Sequence, residues 1–144
     1  MTVNAQTEDQ LVLEIVDVTN RYSVAVISAR LCGKFAFSDD AESEAFMSNY
    51  RLAKVYAARV FMEAHPNATR DQLVEKAQSM DRQLEKGLKK FHAAAGCSHE
   101  IIRDDIRWFT EFRTIPQQRF PDKCADFTSF RALAGEWLKT NRVR

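Results

Sequence analysis

Apolar residues recur every three or four positions along most of the chain, the period of α-helices with one buried face. The widest such face is in Ala41–Ala64, where Phe46, Tyr50, Ala53, Ala57, Val60 and Ala64 line up. Leu52 and Tyr56 extend it, and Val55 and Met62 interrupt the opposite side. The charges left in the middle are Arg51, Lys54 and Arg59. A helix apolar round most of its circumference belongs inside a bundle, so this segment is expected to be the element the others pack around.

Four further helices follow from the same period. Leu11, Ile15, Val18, Tyr22, Ala25, Ala29 and Cys32 follow a four-three spacing that stops at Gly33, a good C-terminal residue. The β-branched runs LVLEIVDV and YSVAVIS also allow an N-terminal hairpin and an α+β fold, but alternation in the first is poor. Thr69 and Gln72 match a capping box opening a third helix with the stripe Leu73, Ala77, Met80, Leu84, Leu88, Phe91 and Ala95. Its other faces are charged, which places it on the bundle surface, and Gly87 at the stripe's edge suggests a close helix crossing. Ser98 can cap a fourth helix carrying Ile101, Ile102, Ile106, Trp108, Phe109 and Phe112. A last helix would bury Phe127, Phe130, Leu133, Ala134, Trp137 and Leu138.

The expected architecture is an all-α bundle of about five helices, near 8–32, 39–64, 70–95, 98–114 and 126–141. The first two should supply most of the core. Ser38, Asp39 and Asp40 form a candidate cap for the second. At 144 residues the chain suits a single domain, 1–144, with short flexible ends at 1–7 and 142–144. Only four Gly and three Pro disfavour a turn-rich β fold.

Net charge is +1, which excludes a strong global attraction to nucleic acid or membrane. The charge is uneven: residues 1–50 hold eight acids and three bases, the remainder twelve acids and eighteen bases. No apolar run approaches the ~20 residues of a membrane span. Three cysteines, Cys32, Cys97 and Cys124, with no CxxC pair and no secretory signal, predict reduced thiols and a cytoplasmic protein.

Candidate chemistry is sparse. His92, Cys97, His99 and Glu100 are possible zinc ligands, but they lack the paired spacing of a tetrahedral site, and a helix-terminal His with a small Cys explains them as well. Asp105 falls in the middle of the fourth helix's apolar stripe. It needs a partner there: an indole N–H of Trp108 or Trp137, a Tyr hydroxyl or an Arg. A structural hydrogen bond is favoured over catalysis, because no second acid or nucleophile motif accompanies it. Between Arg103 and Lys123, bases alternate with aromatics; Arg103, Arg107, Arg113, Arg119, Phe120 and Lys123 form a candidate binding face for nucleic acid. The acids Asp104, Asp105 and Glu111 among them, and the near-neutral chain, count against it.

Arg59 and His65, separated by five residues, form a pair that resembles the Arg-x(4–6)-His element of HEPN-type helical ribonucleases. The resemblance covers seven residues and implies that the pair handles a 2′-hydroxyl and phosphate. A snorkelling Arg and a helix-terminal His are the plainer alternative. The spacing of His65 and His92 is loosely similar to that of the haem histidines of globins, without the haem-packing phenylalanines. No cofactor and no resident metal are expected.

No phosphate-binding loop, nucleophile elbow or HExxH motif occurs. The expectation is therefore a non-catalytic protein that binds a protein partner as a regulator, inhibitor, immunity factor or adaptor. Nucleic-acid binding through 103–123 is the alternative, and a small nuclease using Arg59 and His65 a second. The first helix carries extra apolar residues beside its main lane, Val12, Leu13, Val16, Val24, Val26, Ile27 and Leu31. They predict either a homodimer or partner contact through this helix, or its burial at the centre of the monomer.

Overall fold

The computed structural model describes residues 8–34, 41–115 and 127–141. These form five helices and no strand: α1 Glu8–Leu31, α2 Ala41–Ala64, α3 Arg70–Ala95, α4 Glu100–Phe112 and α5 Phe127–Asn141. The chain is an all-α bundle as expected, and the N-terminal hairpin is excluded because α1 runs unbroken through both of its would-be strands. Helix ends lie within about two residues of the sequence-based limits.

The organising helix is α1, not α2. It packs closely along each of the other four. Leu11, Ile15, Val18, Tyr22, Ala25, Val26 and Ala29 are all buried, the predicted lane with Val26 added. Val12, Val16, Val24, Ile27 and Leu31 are half-buried, so the extra lanes of α1 are taken up by its position at the centre of the monomer. Leu13 alone of these projects into solvent, 69% exposed. One such residue is an ordinary surface feature. The reason α2 does not hold the centre is its outer side: Arg51, Lys54, Val55, Ala58 and Met62 are exposed.

Tyr22 is the hub of an aromatic core. Its ring centroid lies 4.8 Å from Phe46, 4.7 Å from Trp108 edge-on, and 6.2 Å from both Phe112 and Trp137. Offset and edge-to-face contacts of this kind add to the area buried. Phe46 also meets Phe109 at 4.7 Å, and Tyr56 meets Trp137 at 5.5 Å. The Tyr22 hydroxyl donates to Oδ1 of buried Asn141, tying the first helix to the last. Asn141 in turn donates to the Trp137 carbonyl at 2.9 Å. Burial pushes the Tyr22 hydroxyl well above the usual tyrosine range.

Helix termini follow local chemistry. The Thr69 hydroxyl accepts from the Gln72 N–H at 3.2 Å, and the Gln72 side chain accepts from the Thr69 N–H at 2.9 Å, completing the predicted box. Gly33 closes α1 with φ 67°, a backbone state that Gly adopts without steric cost. His99, not Ser98, caps α4, its Nδ1 accepting from the Ile101 N–H at 3.1 Å. Gly87 marks no crossing: nothing lies within 4 Å of where its Cβ would stand. The expected cap at 38–40 and the inward-facing Phe127 and Phe130 lie outside the described residues or their side chains.

α3 is unlike its neighbours. It has 26 residues and none is buried. Leu73, Leu84, Leu88, Phe91 and Ala95 are half-buried, while Val74, Ala77 and Met80 are exposed, so the stripe is covered in part at both ends and open between them.

Candidate functional site

The chemistry-bearing side chains gather along one seam, where the second half of α1 meets α4 and the end of α3. Arg21 and Ser28 on α1 and Cys32 just past its end are spaced by seven and four, the period that keeps them on one face. Opposite Ser28 stands Asp105, 4% exposed. The Ser28 hydroxyl donates to Asp105 Oδ2 at 3.1 Å, and the Arg21 guanidinium approaches Oδ1 at 3.8 Å. Burial raises the carboxyl above its usual range, outweighing the Ser28 hydrogen bond and the Arg21 charge, which act the other way. The Asp105 partner is thus a serine with an arginine, not an indole. Among the described residues no partner meets the N–H of buried Trp108 or Trp137.

At the end of this seam Cys32 and Cys97 form a disulfide, Cα–Cα 5.8 Å, joining the end of α1 to the turn after α3. The expectation of reduced thiols is reversed for these two. The pairing was not legible because 65 positions separate them and nothing in the local sequence brings the two helix ends together. His92, one turn before the end of α3, sets Nε2 2.9 Å from Cys97 Sγ. The donor atoms of Cys32, His92 and Cys97 all lie within 4.8 Å of one another. Of the possible ligands weighed from sequence, His92, Cys97, His99 and Glu100, the structure brings His92 and Cys97 into this cluster. His99 is taken up with capping α4 and with an edge contact to Phe91 at 5.0 Å. Cys32, the third donor, comes from a distant helix. Cys124 lies outside the described residues.

The basic-aromatic segment separates into two layers. Trp108, Phe109 and Phe112 are core, which leaves none of them to stack on a base. Arg103 and Arg107 are exposed, and Arg107 pairs with Asp104 at 3.0 Å. Arg113 is half-buried. Arg119, Phe120 and Lys123 lie outside the described residues.

Arg59 and His65 are each engaged locally. Arg59 Nε stands 3.6 Å from Glu63 Oε1, one turn along α2, and the His65 ring stacks on Phe61 at 6.3 Å between centroids. His65 is exposed on the open turn between α2 and α3. His65 precedes α3 and His92 lies in its last turn, so roughly 33 Å of helix separates them and one haem cannot be held by both.

Comparison with known proteins finds no matching family model, no matching curated protein and no matching solved structure. No helix among the described residues is long and apolar enough to cross a membrane.

Proposed function

We propose that this chain is a non-catalytic binding protein, a regulator, inhibitor, immunity factor or adaptor, that docks an amphipathic helix of a protein partner along α3. The observation that carries the reading is that α3 presents an apolar stripe yet buries none of its residues. Met80 on the stripe and Val74 beside it are 45% and 44% exposed. A helix of 26 residues is about 39 Å long, enough to support a helix-on-helix interface. Charges of both signs flank the stripe, Lys76, Asp81 and Glu85, which suits a partner helix of mixed charge better than a polyanion. A second copy of the chain carries the same stripe, so a homodimer is one form this partner takes. The setting in this reading is cytoplasmic, where a disulfide at the surface acts as a reversible link.

The test is a photo-crosslinking amino acid placed at Met80, with Lys86 as the control position, followed by mass spectrometry of the products from cells. A dominant protein adduct at position 80, absent at position 86, supports the reading. Equal background at both positions contradicts it. Light scattering of the purified chain then separates self-association from binding of another protein.

A further inference from the structure

We propose that Cys32, Cys97 and His92 form a redox-gated binding site for a thiophilic divalent cation of the zinc class, open when the two cysteines are reduced and closed when they are joined.

Three donor atoms of the kinds zinc takes, two sulfurs and an imidazole nitrogen, are gathered here. In a tetrahedral zinc site the thiolate sulfurs stand about 3.8 Å apart, and a sulfur and an imidazole nitrogen about 3.5 Å apart. The three donor atoms here already lie within 4.8 Å of one another, with His92 Nε2 at 2.9 Å from Cys97 Sγ. Side-chain rotation of two cysteines with Cα atoms 5.8 Å apart is enough to separate the sulfurs around an ion. Local hydrogen bonds shape the backbone at each of the two helix ends. Cys32 N–H donates to Ser28 O at 3.1 Å and Gly96 N–H to His92 O at 2.8 Å, and His99 N–H donates to Gly96 O at 3.2 Å. Cys32 and His92 are half-buried while Cys97 is exposed, so reductant, oxidant and ion can all reach the sulfur. Two sulfurs and one nitrogen leave a fourth position for water.

The exchange balances in both directions. A dithiol reductant opens the disulfide: its two thiols become a disulfide, and Cys32 and Cys97 take up its two electrons and two protons. Binding of the cation then releases the two thiol protons to solvent. A hydroperoxide reverses this. With hydrogen peroxide and two protons, the metal bis-thiolate gives the disulfide, the free cation and two waters; the two thiolates lose two electrons and the O–O bond breaks. Either state ties α1 to the end of α3, the helix with no buried residue of its own.

The experiment uses the full chain reduced with a phosphine under inert gas and titrated with cobalt(II), then zinc. The expected result is one equivalent of cobalt, a sulfur-to-cobalt charge-transfer band, and displacement by zinc. Cys32→Ser should abolish the band, His92→Ala should weaken binding at least tenfold, and Cys124→Ser should change neither. One equivalent of hydrogen peroxide should release one equivalent of zinc to a chromogenic chelator, and the oxidised chain should take up none. X-ray absorption of the zinc-loaded wild type needs no variant, and two sulfur scatterers are expected. Absence of the charge-transfer band, a band unchanged in Cys32→Ser or His92→Ala, or an all-nitrogen-and-oxygen shell would overturn the proposal.

Discussion

The Ser28 hydroxyl on α1 donates to Oδ2 of Asp105 on α4 at 3.1 Å, a buried polar link between two otherwise apolar helix faces. The Asp105 carboxyl is raised above its ordinary value chiefly by burial. The folded chain therefore holds this proton to higher pH than the unfolded chain does. Stability is greatest below the ordinary carboxylate range and falls as pH rises from there through the raised value, where ionisation costs the folded state. Asp105→Asn keeps an oxygen for Ser28 and has nothing to ionise. Denaturant unfolding across the acidic to neutral range should show that fall in the wild type and a flatter profile in the variant. An equal fall in both would assign it elsewhere.

The Cys32–Cys97 link closes a separation of 65 residues. On the chain-entropy model, closing a loop of that size stabilises the folded state by about 4 kcal/mol. The double variant Cys32→Ser, Cys97→Ser, compared with the oxidised chain under chelator, should lose up to that amount. Hydrogen exchange should rise first across residues 70–95, because α3 has no buried side chain to hold it. Uniform acceleration over all five helices would show that α3 is not the separable part.

Tyr22 joins the core by packing and by a polar bond, and two substitutions divide them. Tyr22→Phe keeps the ring and leaves the buried Asn141 Oδ1 without its donor, a loss of about 1–3 kcal/mol. Tyr22→Ala also removes the ring against which Phe46, Trp108 and Trp137 pack, for a loss of about 3–5 kcal/mol. Chemical denaturation of both variants checks the order.

Helical period and local capping chemistry were legible in the sequence, because each depends on residues within one or two turns. The lane of α1 from Leu11 to Ala29, the box at Thr69 and the stop at Gly33 all appear where the pattern placed them. Which helix holds the centre was not legible. α1 and α2 both offer wide apolar faces, and the choice depends on how all five helices share them. Of the partners of Asp105, an arginine was among those expected and Arg21 fills that place, but Ser28, 77 positions away, was not, since a serine on a helix carries no local mark of its role. The cysteine pairing failed for the same reason, while the proximity of His92 to Cys97, five positions apart, was readable. Exposure of α3 went beyond expectation: its stripe predicted a surface helix docked on the bundle, and it is docked without one fully covered side chain.

The most direct test is the stability of the chain carrying Val74→Lys with Met80→Glu, each new charge having an opposite neighbour one turn away in Asp71 or Lys76. If the exposed part of α3 around Val74, Ala77 and Met80 is free for a partner, the denaturation midpoint should correspond to a change within about 0.5 kcal/mol, as for ordinary surface positions. A loss of several kcal/mol would show that Val74 and Met80 belong to the chain's own core, and would contradict the account.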